Sequence, residues 1–591
     1  MGGRRRALRW GALVVLAAAA LCAIALAVTG YLTHRHLRDA QAAVGQLRLG
    51  LASTETPRAQ IDAHLRDIQS EARAARELTD GPLWGLPARL PRVGAPFETV
   101  RGAAAAIDTV AHDVLPPVRG ARDSLVGVDL RRHGGGLDLA PVSAAAAPLG
   151  QARGATDRAL ARAENLPSTG VHQIDAAREE LLAQLGALSA QLRSAHEAVT
   201  LLPPMLGANE PRRYFVAFQN NAEARGTGGL PGVYAVLRAD RGRISFEHYG
   251  VSGDFGGVRV SMKGLSPGFA NQYQGAAPDR FFGNTTVSPH FPDGAQLMMR
   301  YWQGKTGERL DGALALDPSA LSMLLAVTGP STLPDGTVVK ASNVVALTER
   351  DAYARFDDPV ARKLYLIEVA KAVADDVLER GPAQGSQLAG ALADAVAERR
   401  VLLYSARSEE QRIIGARPVG GTLSDTTGRF SGLVINNAGG NKLDYYLDRQ
   451  VTYAAASCGA RDQRATVTVR LTNRAPRSGL GSYAGGRADP LDAPVPRGTN
   501  RLLVGYYATK GADFSEATVD GKPAFLDVDT ERGRPVFTFV LEIAPGQTRT
   551  LTLRIDEPAG AKGPVTTLVQ PLVLPQRTRV TIPDCPGTAA R

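Results

Sequence analysis

Cysteine is nearly absent from this chain. Three cysteines in 591 residues exclude a disulfide-dense secreted scaffold. Cys22 lies in an apolar run, which leaves Cys458 and Cys585 for the rest of the chain. In an oxidising compartment those two would close one long loop, a link worth about 3–5 kcal/mol on the chain-entropy account. Two separate thiols are the alternative. No C-x-x-C pair occurs, and none of the nine histidines begins an H-E-x-x-H, so the usual zinc patterns are missing. Concentrated charge is missing too. The net charge is +10, but acidic and basic residues are mixed along the chain. No block of one sign is long enough for a nucleic-acid tail. The basic excess suits a neighbour rich in anions, such as phosphate-bearing envelope polymers or lipid headgroups.

Long apolar runs are also scarce, which makes one of them informative. Gly11–Leu32 carries no charged residue and is long enough to cross a ~30 Å hydrocarbon core. Arg4, Arg5, Arg6 and Arg9 precede it, so residues 1–10 are expected in the cytoplasm and the bulk of the chain outside. The expectation is a single-pass plasma-membrane protein. Ala25-Leu26-Ala27 resembles a cleavage site, which leaves a cleaved signal open.

The rest divides by texture. Residues 36–205 carry apolar residues at helical spacing, with Pro57, Pro116-Pro117 and Pro203-Pro204 as stops, and predict an extracytoplasmic helical stalk or bundle. Residues 119–168 offer a loop and a short helix. Residues 207–416 alternate strand-like and helical runs, which predicts an α/β domain. Its strands are Tyr214–Phe218, Val233–Leu237, Ile244–Tyr249, Leu310–Leu316 and Val401–Tyr404. Asp317-Pro318 is an N-cap followed by a first-turn proline. Residues 417–591 are spaced strands divided by Gly, Pro and Asn turns, the pattern of a β-sandwich.

The chemistry-bearing stretch is RYFVAFQNNAEARGTGGLPG, residues 213–232. A buried strand leads into Asn220, Asn221, Glu223 and Arg225, then Gly226, Gly228 and Gly229. Convergent polar groups beside flexible glycines suit a binding site at a sheet edge. The same residues equally suit a tight turn whose Arg225 satisfies buried carbonyls. A second cluster, Arg350, Asp351, Arg355, Asp357, Asp358 and Arg362, precedes a helix. Arginines grip phosphate and carboxylates hold a divalent cation; a solvated helix start with ordinary ion pairs is the alternative. Gly264-Leu265-Ser266-Pro267-Gly268 has the letters of a nucleophile elbow, but Pro267 lacks the N–H that an oxyanion hole needs.

QNNAEARGTGG at 219–229 resembles the signature of the domain-of-unknown-function family 4012 of bacterial envelope proteins. Further blocks fit that resemblance: Asp311-Gly312 with Leu316-Asp317-Pro318, Leu402-Leu403-Tyr404-Ser405, and Asn436–Tyr446. A more distant likeness is to the LytR-CpsA-Psr phosphotransferases, which move glycopolymers from polyprenyl pyrophosphate to the cell wall. That resemblance implies Arg225, Arg355 and Arg362 on pyrophosphate, and Glu223 with Asp357 or Asp358 on Mg2+ or as base. It makes Glu223 and Arg225 the catalytic candidates, with Asn220, Asn221, Gly228, Gly229, Arg355 and Arg362 for substrate and Asp357 and Asp358 for metal. The expected partners are the lipid bilayer and a lipid-linked polysaccharide or cell-wall glycan. A non-enzymatic envelope scaffold is the alternative.

Overall fold

The computed structural model describes residues 21–22, 24–40, 43–44, 56–91, 93–125, 136–456, 464–489 and 494–583. Half of the expected span at 11–32 lies outside these, and among the described residues no helix is long and apolar enough to cross a membrane. Cys458 and Cys585 also lie outside them, as does the expected disulfide. The chain divides into two compact units, Met1–Glu210 and Pro211–Arg591.

The first unit is helical. Its helices are α1 (Arg58–Asp80), α2 (Pro82–Ala88), α3 (Ala95–Thr109), α4 (Leu115–Leu125), α5 (Ala140–Ala144), α6 (Ala146–Glu164) and α7 (His172–Met205). The helical stripe of α1 is buried as its spacing requires, with Ile61, Ile68 and Ala72 packed around Ala111. The stop expected at Pro116-Pro117 does not hold, whereas the helix before Pro203-Pro204 ends one residue past them, at Met205. Between α3 and α4 the backbone opens into a π turn, Val110–Val114, in which Leu115 N–H donates to Val110 O. The wider turn carries the helix past Pro116-Pro117. Helix α7 keeps Pro203 and Pro204 in its last turn. A proline loses its own donor but not its carbonyl, and these two accept from Ala208 N–H and Gly207 N–H. Residues 146–164, expected as loop and short helix, form the 19-residue α6. Its buried face is Ala152, Ala155, Ala159 and Ala163, too small to give a strong hydrophobic period.

The second unit opens on a five-stranded sheet made of β1 (Arg212–Arg225), β2 (Gly228–Asp240), β3 (Arg243–Val251), β4 (Gly312–Leu316) and, later, β7 (Val401–Ser405). The order is β3-β2-β1-β4-β7. Only β1 and β4 run parallel, and the chain between them contains α8 (Phe291–Thr306). One face of the sheet buries Phe215, Ala217, Tyr234 and Ala313 against Phe291, Met298 and Trp302 of α8. After β4 come α9 (Pro318–Thr328), the short pair β5 (Ser331–Thr332) and β6 (Val338–Val339), and α10 (Pro359–Arg380). Leu321 and Leu325 of α9 pack with Tyr365, Val369 and Val373 of α10, and Leu316 of β4 joins them. Since Ala313 and Ala315 lie in the first core and side chains alternate along a strand, α9 and α10 cover the other face. Asp317 caps α9, accepting from Ala320 N–H at 2.8 Å, as its place before Pro318 predicts.

Eleven further strands follow: β8 (Phe430–Asn437), β9 (Leu447–Ala455), β10 (Arg464–Asn473), β11 (Asn500–Tyr507), β12 (Asp513–Val519), β13 (Lys522–Pro523), β14 (Asp527–Glu531), β15 (Arg534–Ile543), β16 (Thr548–Asp556), β17 (Thr566–Val569) and β18 (Arg577–Thr581). They form two sheets, β13-β12-β16-β10-β9-β18 and β14-β15-β11-β8-β17. Val451, Val467 and Leu553 of the first sheet share a core with Ile435, Val504 and Phe539 of the second. Ala224 of β1 belongs to that same core, so the far end of the first strand is built into the C-terminal sheets.

Phe215 is fully buried, stacked on Tyr234 and tilted against Phe282 in the first core. Phe215→Ala is expected to lower unfolding stability by about 3–5 kcal/mol, read from urea unfolding of the full chain.

Candidate functional site

The strand expected to end at Phe218 runs on to Arg225. A bulge between Asn220 and Ala224 absorbs the polar residues, and the turn is only Gly226-Thr227. The glycines are there for packing. A Cβ at Gly226 would lie 2.2 Å from Val287 O, and one at Gly229 would lie 2.3 Å from Asn220 O. Gly228 has φ +140 and is enclosed by Gln219, Asn221 and Pro571. Backbone fills the space that a side chain at Gly226 or Gly229 would need.

The charged residues there are also spent internally. Arg225 is buried, and each guanidinium nitrogen is engaged. Nε donates to Asn284 Oδ1 at 3.0 Å, Nη1 to Ala224 O and Asn437 O, and Nη2 to Glu223 Oε1 at 3.2 Å. The other Glu223 oxygen takes a 2.6 Å hydrogen bond from Lys442 Nζ. Burial pushes the Glu223 carboxyl up, but the Lys442 and Arg225 charges outweigh it and hold it below its ordinary value. Burial alone would lower the Lys442 ammonium; Glu223 reverses that and raises it. A carboxylate clamped between two cations is no general base. Arg225 follows the reading in which it satisfies buried carbonyls.

Asn221 is likewise structural: its N–H donates to Glu349 Oε1 and its Nδ2 to Pro571 O, both at 2.8 Å. The second cluster scatters. Arg355 is exposed and pairs with Asp335 at 3.1 Å. Asp358 caps α10, accepting from Val360 and Ala361 N–H, and Asp357 is exposed. The carboxylates expected to hold Mg2+ therefore do not meet: Glu223 is fully engaged by cations and Asp358 by backbone. Among the described residues no group of three or more His, Cys, Asp or Glu side chains is placed to hold a metal ion.

Two of the expected residues do come together. Asn220 and Arg362 line a cavity of about 110 Å3 between the sheet and α9/α10. Gln219, Ser252, Asp317, Thr348, Lys363, Lys442, Tyr353 and Tyr483 also line it, with Leu230, Leu321, Leu366 and Val369 among its aliphatic walls. Asn220 Nδ2 donates to Tyr353 OH at 2.9 Å. Tyr353 stacks on Tyr483, centroids 5.6 Å apart, and the Arg362 guanidinium lies 4.3 Å from the Tyr483 ring. Lys442 lies 5.0 Å from the Tyr353 ring.

Arg362 differs from two other buried arginines, Arg449 and Arg534. Those two spend both terminal nitrogens on carbonyls. Arg362 is only 4% exposed, yet among the described residues its one hydrogen bond runs from Nη1 to Phe356 O at 3.0 Å. It makes no ion pair among them either. A buried guanidinium without a carboxylate is costly unless something else supplies negative charge. Sequence reasoning missed Lys442 and Tyr483, which arrive from the C-terminal region. The Asn436–Tyr446 block was the one signal for Lys442.

The first sheet with its covering helices makes this an α/β unit joined to a region of β-sheets. Residues 209–353 match the family described as Protein of unknown function (DUF4012), and the chain carries that family's domain there. The match takes in the sheet side of the cavity up to Tyr353, but not Arg362, Lys442 or Tyr483. No curated protein and no solved structure matches the chain.

Glu223→Ala strands Lys442 and Arg225 as buried cations and is expected to lower stability by about 3–5 kcal/mol in urea unfolding; a marginal change contradicts the clamp. Glu349 gives a pH signature. Burial, reinforced by Asp317, raises its carboxyl from 4.5 to about 8, against the Asn221 N–H bond and the Lys442 and Arg400 charges. Between those two values the folded chain holds a proton that the unfolded chain has released. Stability from this group therefore falls as pH rises from 4.5 to about 8 and is flat above. Glu349→Gln is expected to flatten that slope in melting temperature against pH.

Proposed function

We propose that the second unit binds the phosphate head of a polyprenyl-linked glycan, in a protein anchored to the plasma membrane by residues 11–32. The observation that carries this reading is the buried Arg362 guanidinium, without a carboxylate among the described residues, at a cavity lined by cationic and aliphatic side chains and by one carboxylate, Asp317, that is already paired with Arg400. An amphipathic anion satisfies both the cationic and the aliphatic lining: phosphate oxygens against Arg362 and Lys363, and the first isoprenoid carbons against Leu321, Leu366 and Val369. The cavity is small, so the saccharide stays outside it. In this reading residues 36–205 are the extracytoplasmic stalk, and the two C-terminal sheets are a β-sandwich that supplies Lys442 and Tyr483.

Binding is better supported than transfer. The residues that the LytR-CpsA-Psr resemblance makes catalytic, Glu223 and Arg225, neutralise each other inside the fold, and the named carboxylates do not converge. This favours the non-enzymatic alternative for the chemistry while keeping the lipid-linked glycan as ligand.

Farnesyl phosphate titrated into the full chain in detergent is expected to bind, with Arg362→Ala weakening it about 10- to 100-fold. That corresponds to a charge-assisted hydrogen bond of about 1.5–3 kcal/mol. Equal affinity in the two proteins, both folded by circular dichroism, contradicts the proposal.

A further inference from the structure

A short apolar surface in the first unit has no role in the cavity. Leu86, Leu90 and Val93 are 65%, 54% and 56% exposed, on α2 and the turn that follows it. Gly94 N–H donates to Leu90 O at 2.9 Å, and a Cβ at Gly94 would lie 2.4 Å from Ala88 O. Beneath the apolar residues, Trp84 is buried and meets Phe97 edge-on, with centroids 5.6 Å apart.

Trp84 also ties this segment to the N-terminal helix. Its indole N–H donates to Thr29 Oγ1 at 2.9 Å, and a side chain at Gly30 would touch the ring. The helix over residues 24–40 changes character at this level. Leu21, Ile24, Val28 and Tyr31 recur at helical spacing and are all more than half exposed. Beyond them Thr33 and Ala40 are buried, and His36 meets Glu71 of α1. Exposed Arg35, Arg38 and Arg89 lie close by in sequence on the two segments. Apolar side chains held beside a tryptophan and a tyrosine, with arginines alongside, match the apolar core edge, interface and anionic headgroups of a bilayer.

We propose that α2 and its following turn lie in the outer headgroup layer of a phospholipid bilayer, beside the emerging N-terminal helix. Leu86, Leu90 and Val93 dip into the acyl boundary, and Arg35, Arg38 and Arg89 meet lipid phosphate. The inference rests on the membrane attachment proposed above and is independent of the cavity. It makes the attachment two-point: the helix sets depth, and the α2 segment fixes the rotation of the helical unit about it.

The test uses the full chain with Cys22→Ser, Cys458→Ser and Cys585→Ser, in nanodiscs of phosphatidylcholine and phosphatidylglycerol. A bimane label at Leu90→Cys is compared with one at Val171→Cys, and the background protein without either cysteine is the blank. With brominated acyl chains the Leu90 emission is expected to fall roughly by half, as for a group within about 5–10 Å of the headgroup boundary, while the Val171 emission stays unchanged. An unquenched Leu90 label on a chain that elutes with the nanodisc overturns this inference alone. A chain that does not enter nanodiscs overturns the membrane attachment and this inference with it.

Discussion

One buried carboxylate holds the second unit together. Glu223 sits near the end of the first strand, between Lys442 from the C-terminal region and Arg225 two residues on. The same strand end is held by Asp444, which accepts Ala224 N–H at 2.8 Å together with the Asn437 and Asn500 side-chain amides. Burial pushes the Asp444 carboxyl above its ordinary value, and these hydrogen bonds compensate for its isolation. Gln570 adds the Arg225 carbonyl to the set, donating at 2.6 Å. The strand, the loop before β9 and the chain after β17 are thereby fixed to one another. Charged groups removed from water are tolerated when they are paired or fully hydrogen-bonded, so the geometry of the corner is narrowly determined.

That clamp has a consequence for the cavity. By holding Lys442 in place it brings an ammonium and the Tyr353–Tyr483 pair to the mouth of a pocket whose floor belongs to α9 and α10. Two cations, Arg362 and Lys442, then face the same pair of rings. Lys442 already has its anion in Glu223. Arg362 has none among the described residues, and the asymmetry between the two places the unmet charge at Arg362. The Asn- and Gly-rich corner thus builds the site without being the site.

Much of the fold was legible in the residues. The β-branched and aromatic runs at Tyr214–Phe218 and Leu310–Leu316 formed neighbouring strands, and Asp317-Pro318 formed the cap it spelled. Four features were not legible. Pro116-Pro117 resembles a stop because a proline inside a helix loses a hydrogen bond, and the π turn before it removes that cost. The alanine-rich α6 gave no period because a small-residue face buries well without large side chains. Most important, Arg225 and Arg362 are the same residue type in comparable settings on paper. Only tertiary contacts, from Asn284, Asn437 and Lys442, show which guanidinium neighbourhood is already satisfied. The glycines had the same ambiguity, since close backbone approach to a ligand and to another strand select the same residue.

The central claim is that the unmet positive charge of this unit is at Arg362 and not at Arg225. A structure of the full chain determined with farnesyl phosphate tests it most directly. The account predicts density for the phosphate against the Arg362 guanidinium and for the first isoprenoid carbons along Leu321 and Val369, with the Glu223–Lys442 contact intact. Phosphate bound at Arg225, with Glu223 displaced from it, would contradict the account.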